Sequence, residues 1–198
     1  MAISYGVDAL GLLGSMPSSP RGTDMELARD IAGSSPPGVE TFLLSESFSG
    51  HEIAKHAAYC GTTTIQIVQH IEVHEYEHIV EQIPNVKRVQ VVHVEDRNAL
   101  GLIETYEPFV HAFILDSGMT GTTVAGLGGT GRVHDWAISS EFARRTSKPV
   151  YLAGGLNPHN VKNAISTVAP FGVDVCSGVR RNKKLDAQLL DNFTSNVF

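Results

Sequence analysis

The stretch Tyr151-Leu152-Ala153-Gly154-Gly155-Leu156-Asn157-Pro158 ends an apolar strand with two glycines and opens a helix. Backbone N–H groups exposed at such a turn can hold a dianionic phosphate, assisted by the positive end of the helix dipole. A tight left-handed turn uses two glycines just as readily, so the motif alone leaves both readings open. Its position in the chain says more. Glycines crowd into late loops, at Gly126-Leu127-Gly128-Gly129-Thr130-Gly131, Gly154-Gly155 and Ser177-Gly178, whereas no Gly-x-Gly-x-x-Gly follows the first apolar run. A dinucleotide-binding sheet carries its glycines at the first turn, while a (β/α)8 barrel often builds a phosphate site from the loops after its last two strands. The asymmetry favours the barrel.

Outward from that stretch, short apolar runs alternate with segments of helical spacing. The runs are Val7-Leu13, Val39-Leu44, Thr64-Val68, Val89-Val94, Val110-Leu115, Val150-Ala153 and Gly172-Cys176. Helices are expected at 23–33, 50–59, 74–82, 96–105, 135–146, 158–168 and 186–195, where apolar residues recur at three- and four-residue intervals. Asp24, Asp135 and Asn157-Pro158 stand where helix starts want a capping oxygen or a first-turn proline. The strands carry almost no charge, as strands covered on both faces require. The expected fold is therefore α/β, a TIM (β/α)8-type barrel with seven recognisable βα units, read as a single domain over 1–198.

Composition narrows the function. The 198 residues hold 15 Lys+Arg against 21 Asp+Glu, a formal net charge of −6. An acidic chain is a poor binder of a phosphate backbone, so nucleic acid is not an expected partner. No apolar run reaches the length of a membrane span, and the first residues lack a basic region followed by an apolar stretch. With only Cys60 and Cys176, there is no disulfide framework, and a cytoplasmic, soluble protein is expected.

Three further positions carry candidate chemistry. Asp116 closes the run Phe113-Ile114-Leu115-Asp116, which puts a carboxylate at the strand end where barrel active sites form; an Asp capping the next turn fits the residue equally well. Asp174 and Cys176, two apart on an expected strand, share a face, and in a barrel that face is the interior. A buried cysteine is usually an inert small hydrophobe. Finally, His74-Glu75-Tyr76-Glu77-His78 fits the His-Glu-x-x-His pattern of zinc hydrolases, with Glu75 as base; on an outer helix the same residues are a solvent-facing polar stripe.

The chain resembles the phosphoribosylanthranilate isomerase family of tryptophan biosynthesis. The likeness is carried by Gly6-Val7-Asp8-Ala9-Leu10-Gly11, Ser19-Pro20-Arg21, Leu115-Asp116-Ser117, Gly128-Gly129-Thr130-Gly131 with Asp135-Trp136, the block from Leu152 to Val161, and Val173-Asp174-Val175-Cys176-Ser177-Gly178-Val179. The resemblance implies a barrel that converts N-(5′-phosphoribosyl)anthranilate, an aminoaldose, into the aminoketose by an Amadori rearrangement, with no metal or organic cofactor. It implies Asp116 as the general acid on the ribose ring oxygen and Arg21 as partner of the anthranilate carboxylate, which suits a planar, always-charged fork. Asp174 would lie by the anthranilate nitrogen, and Gly154, Gly155, Ser177 and Gly178 would hold the phosphate.

Two departures stand beside the likeness. The family's first strand, with Lys-Ile-Cys-Gly and its catalytic-base cysteine, has no counterpart in the sequence, which aligns from the tail of the first helix. Arg180 stands where the family commonly carries Glu. In a closed barrel the last strand lies beside the first, so an inward Cys176 would stand near the place of that thiol and is the candidate substitute base. Beside the isomerase, a non-catalytic or repurposed phosphosugar-binding barrel of the same family stays open. A homodimer covering the open barrel edge is expected, because an unpaired strand edge invites association.

Overall fold

The apolar runs fold as parallel strands alternating with helices in a computed structural model that describes residues 1–14, 24–117 and 134–198. The chain forms two compact units.

The first unit comprises Asp8–Val91 with Pro108–His111. Its strands β1 (Ala9–Leu13), β2 (Glu40–Ser45), β3 (Thr64–Ile67) and β4 (Lys87–His93, whose last two residues run past the unit) pair parallel in chain order. The register sets Gly11 against Phe42, Phe42 against Thr64 and Ile65 against Arg88. Between them run α1 (Met25–Ser34), α2 (Gly50–Cys60) and α3 (Glu75–Gln82). Asp24 caps α1, its carboxylate accepting the Glu26 N–H at 3.1 Å. All four residues of β3 are buried, and Ile53, Ala54, Ala57, Tyr76 and Ile79 supply the helix side of the core. Tyr76 stacks on Phe109 at 5.5 Å, and its hydroxyl donates to the buried Gln90, whose amide in turn donates to the Gln69 and Val91 carbonyls. With both its donor and its acceptor partnered, this buried amide avoids the penalty of an unmet hydrogen bond.

The second unit comprises Met1–Val7, Val92–Glu107 and Ala112–Phe198. A 3-10 turn at Ala2–Tyr5 opens it, and a second, Arg97–Gly101, leads into the five-residue α4 (Leu102–Tyr106). Strands β5 (Ala112–Asp116), β6 (Val150–Leu152) and β7 (Gly172–Val173) pair parallel in chain order, with α5 (Trp136–Arg145) and α6 (Val161–Val168) between them. A two-residue ribbon, β8 (Arg180–Arg181) and β9 (Lys184–Leu185), precedes α7 (Ala187–Thr194). Asp135 and Asp186 cap α5 and α7 through the Ala137 and Leu189 N–H groups, at 2.9 and 3.0 Å. Phe113 meets Phe142 edge to face at 5.1 Å in the core.

Three segments depart from the sequence reading. The helix expected at 96–105 divides, because the Asp96 carboxylate takes the Asn98 N–H at 2.7 Å and starts a tighter turn first. The helix expected at 158–168 begins at Val161: Asn157 does not cap it from the side chain but accepts the His159 N–H at 2.9 Å, while its carbonyl receives Asn160 and Val161. The strand expected over Gly172-Cys176 stops at Val173. Its partner β6 ends at Leu152 ahead of the Gly154-Gly155 turn, and the last ladder bond is Asp174 N–H to the Leu152 carbonyl, 2.8 Å. The β8–β9 ribbon and the opening 3-10 turn had no periodic signal to announce them.

Candidate active site

Parallel register places the candidate residues in one row. Leu115 pairs with Leu152 and Leu152 with Val173, so Asp116, Ala153 and Asp174 each come one step later, at the carboxyl ends of β5, β6 and β7. Two backbone bonds secure that row: Ala153 N–H to the Leu115 carbonyl at 2.7 Å and Asp174 N–H to the Leu152 carbonyl at 2.8 Å. Strands two places apart lie about 10 Å from each other, near enough for the charge of Asp116 to act on Asp174. The result is a cleft lined by Asp116, Ala153, Gly154, Gly155, Leu156, Asp174, Val175, Cys176 and Ser177.

The glycines are there for two separate physical reasons. Gly154 and Gly155 have φ of +81° and +66°, left-handed values that a side chain resists. Gly154 is also pressed against Ser117, so that an added Cβ would lie 2.6 Å from its backbone nitrogen. Gly178 has an ordinary φ, yet an added Cβ would fall 1.9 Å from the Leu156 carbonyl oxygen. The two glycine loops are therefore packed backbone to backbone. Asn160 braces the first of them, donating to the Gly155 carbonyl at 3.0 Å and accepting the Asn157 N–H at 2.8 Å. No periodicity in the sequence signals that brace.

The carboxylates differ in setting. Asp116 is half-buried, and its Oδ1 accepts the Ser117 N–H at 2.6 Å. Asp174 keeps accessible surface because it opens into the cleft. Protein crowded around the carboxyl on its other sides strips part of its solvation. That loss of solvation, together with the negative charge of Asp116, pushes its pKa up to about 6, against a counteracting bond from the Val175 N–H. A carboxyl titrating there can hold or release a proton near neutrality, a property the sequence reading did not assign to this residue.

Cys176 lies on the loop after β7 rather than on the strand, and it still lines the cleft. Cys60 sits buried at the end of α2, 3.8 Å from the Met25 carbonyl, and burial pushes its thiol up. Sequence reasoning missed His134, just before α5. Its Nε2 lies 2.6 Å from the hydroxyl of the fully buried Ser139. Burial pushes its pKa down, while the charges of Asp116 and Asp135 act the other way. Arg21 lies outside the described residues, as does the glycine loop from Gly126 to Gly131.

The His74-Glu75-x-x-His78 pattern has a structural occupation. Glu75 Oε2 accepts the Gly50 N–H at 2.6 Å, at the first turn of α2, and Oε1 lies 3.3 Å from His74 Nε2. Gly50 is equally committed, since a Cβ there would meet the Glu75 carbonyl oxygen at 2.0 Å. The carboxylate that a hydrolase would need as base serves instead to join α3 to α2.

Comparison with known proteins agrees with this geometry. The family described as N-(5′-phosphoribosyl)anthranilate (PRA) isomerase matches residues 16–196. N-(5′-phosphoribosyl)anthranilate isomerase 2 of Methanosarcina mazei is 35% identical over 91% of this chain and 79% of its own length. The Methanocella arvoryzae isomerase is 34% identical over 97% and 88%. A crystal structure of the Thermotoga maritima isomerase superposes with a TM-score of 0.83 at 28% identity, over 98% of this chain and 90% of the other. A crystal structure of a phosphoribosyl anthranilate isomerase in complex with reduced 1-(o-carboxyphenylamino)-1-deoxyribulose 5-phosphate gives a TM-score of 0.80 at 26% identity, over 98% of this chain and 89% of the other. These structures are TIM-type barrels, and the chain shares their fold.

Proposed function

The chain belongs to the N-(5′-phosphoribosyl)anthranilate isomerase family, and from that premise we propose that its cleft carries out the Amadori rearrangement of N-(5′-phosphoribosyl)anthranilate to the aminoketose in tryptophan biosynthesis. The observation that carries the reading is the convergence of Asp116, Asp174 and Cys176 with the two glycine loops on one cleft. Asp116 protonates the ribose ring oxygen as the bond from that oxygen to C1′ breaks, leaving a Schiff base between C1′ and the anthranilate nitrogen. Asp174, ionised once the pH passes about 6, faces that nitrogen and offsets its positive charge. Removal of the C2′ proton then gives the enolamine, which tautomerises to the ketone. Cys176 is the proposed acceptor of that proton. Gly154, Gly155, Ser177 and Gly178 hold the phosphate through backbone N–H groups and the Ser177 hydroxyl, and Arg21 pairs with the anthranilate carboxylate.

A small phosphorylated substrate is the proposed partner, with a second copy of the chain beside it. A Thermotoga maritima relative described as dimeric supports the latter, and light scattering that gives a strictly monomeric mass at high concentration removes it. Among the described residues no helix is long and apolar enough to cross a membrane, and Cys60 and Cys176 are thiols rather than a disulfide; we place the protein in the cytoplasm.

The test is the change of anthranilate fluorescence on incubation with N-(5′-phosphoribosyl)anthranilate. Asp116→Asn is expected to lower kcat by about 10²–10⁴-fold, the usual worth of a general acid. Cys176→Ser with undiminished kcat removes Cys176 from the base role. Binding of a product analogue by the wild-type chain with no turnover would favour a phosphosugar-binding protein over the enzyme.

A further inference from the structure

Arg180-Arg181-Asn182-Lys183-Lys184 sets four cationic residues within five positions of a chain whose net charge is −6. They form the β8–β9 ribbon, with Arg180 paired to Leu185 and Arg181 to Lys184. Its turn is Asn182-Lys183, at φ of +51° and +65°. Two left-handed residues match the twist of a two-residue hairpin, and glycine is the usual choice there; here a lysine takes one of the positions. The ribbon is rooted at the cleft. The 3-10 turn Ser177–Val179 connects directly into β8, Ser177 lines the cleft, and the Asp186 N–H closes the base of the ribbon on the Val179 carbonyl at 2.9 Å. Three residues of chain place the Arg180 backbone no more than about 11 Å from Ser177, close to one Debye length at about 0.1 M salt and well inside it in more dilute buffer.

All four cations are exposed. Arg181 Nε lies 3.2 Å from Asp186, while Arg180 donates to the Lys183 carbonyl at 3.1 Å, which leaves its charge uncompensated. Among the described residues no carboxylate pairs with Arg180, Lys183 or Lys184. Four cations less Asp186 leave the ribbon at +3. The cleft itself has the opposite character: its described lining carries two carboxylates, Asp116 and Asp174, and no cation. A phosphate dianion approaching that lining alone is repelled.

We propose that the β8–β9 ribbon is an electrostatic guide that draws a phosphate monoester bearing a second anionic group into the cleft and offsets the repulsion of its carboxylates. The inference rests on the isomerase reading for its substrate. Charge at this distance acts on encounter and binding rather than on the chemical step.

The experiment measures kcat and KM for N-(5′-phosphoribosyl)anthranilate from about 20 mM to about 500 mM NaCl, a span over which the Debye length contracts from roughly 20 Å to about 4 Å. Wild-type kcat/KM is expected to fall about fivefold across that range. Lys183→Glu with Lys184→Glu turns the ribbon from +3 to −1; its kcat/KM is expected to start about tenfold lower and lose its decline with salt, with kcat unchanged. Lys183→Gly relieves the left-handed φ while removing one charge, so a loss of about twofold from that folded variant carries the same conclusion. Identical salt dependence in wild type and both variants overturns the guide. Calorimetric binding of reduced 1-(o-carboxyphenylamino)-1-deoxyribulose 5-phosphate separates the two failures. Tight binding with no salt difference between the proteins removes the guide and leaves the isomerase reading, whereas no binding by the wild type at any salt removes both.

Discussion

Gly178→Ala tests the packing on which the candidate phosphate site depends. Gly178 has no left-handed backbone to protect, so alanine adds no torsional strain. What it adds is a methyl group 1.9 Å from the Leu156 carbonyl oxygen and 2.9 Å from the Asn157 Cα. Carbon and oxygen normally approach to about 3.3 Å, so the two glycine loops must part by about 1.4 Å. Both colliding groups are backbone and cannot rotate away. Overpacking of this kind costs about 1–3 kcal/mol, to be read as a lowered midpoint in urea unfolding. Function responds more sharply, because an ångström of misplacement in a positioning group costs up to about a hundredfold. KM is expected to rise about ten- to a hundredfold, with kcat less affected, since Asp116 and Asp174 are held by their own strands. Gly33→Ala is the control: it lies within α1 with nothing inside 4 Å of the new Cβ, and a gain of about 0.5–1 kcal/mol is expected. If Gly178→Ala leaves the urea midpoint and KM where they were, the two loops are not held by this contact and the reasoning fails.

Three other outcomes follow from the same structure. The raised pKa of Asp174 contributes stability that is fully present below 3.8 and lost as the pH rises through about 6. Asp174→Asn should therefore stabilise the fold increasingly between pH 4 and 7.5, by about 1 kcal/mol once the ceiling of about 3 is discounted for its open side, while activity falls; urea midpoints at both pH values check this. His134, with its pKa pushed down by burial, contributes stability present above 6.5 and lost as the pH falls below it. His134→Phe should flatten the thermal midpoint between pH 7.5 and 5.5, and an unchanged slope would show that another group is titrating. Glu75→Gln weakens the charge-assisted bond at the start of α2 and should cost about 1–2 kcal/mol. Chelator should leave both proteins' midpoints and turnover unaltered; activity lost with chelator and regained with zinc would restore the hydrolase reading.

Most of the candidate site was legible because its signals are local. Asp116 is marked by closing an apolar strand, and Gly154-Gly155 by ending another. His134 was not legible, since nothing in its neighbours tells a core histidine from one that feels Asp116. Nor was the brace from Asn160 to Gly155, where sequence spacing suggested a helix start. Cys176 reaches the cleft from the loop after β7, not from the longer strand that the apolar run predicts.

By itself the sequence determined the alternation of seven strands with helices, because side-chain period and capping residues act over a few positions and survive any tertiary arrangement. It also determined the residue types available at each strand end. Tertiary structure alone decided which of those ends meet. The parallel register that sets Asp116, Ala153 and Asp174 in one row, the contact that forbids a side chain at Gly178, and the loss of water that lifts Asp174 to about 6 all join residues far apart in the chain. Close packing and desolvation depend on distance through space, and no local pattern encodes that.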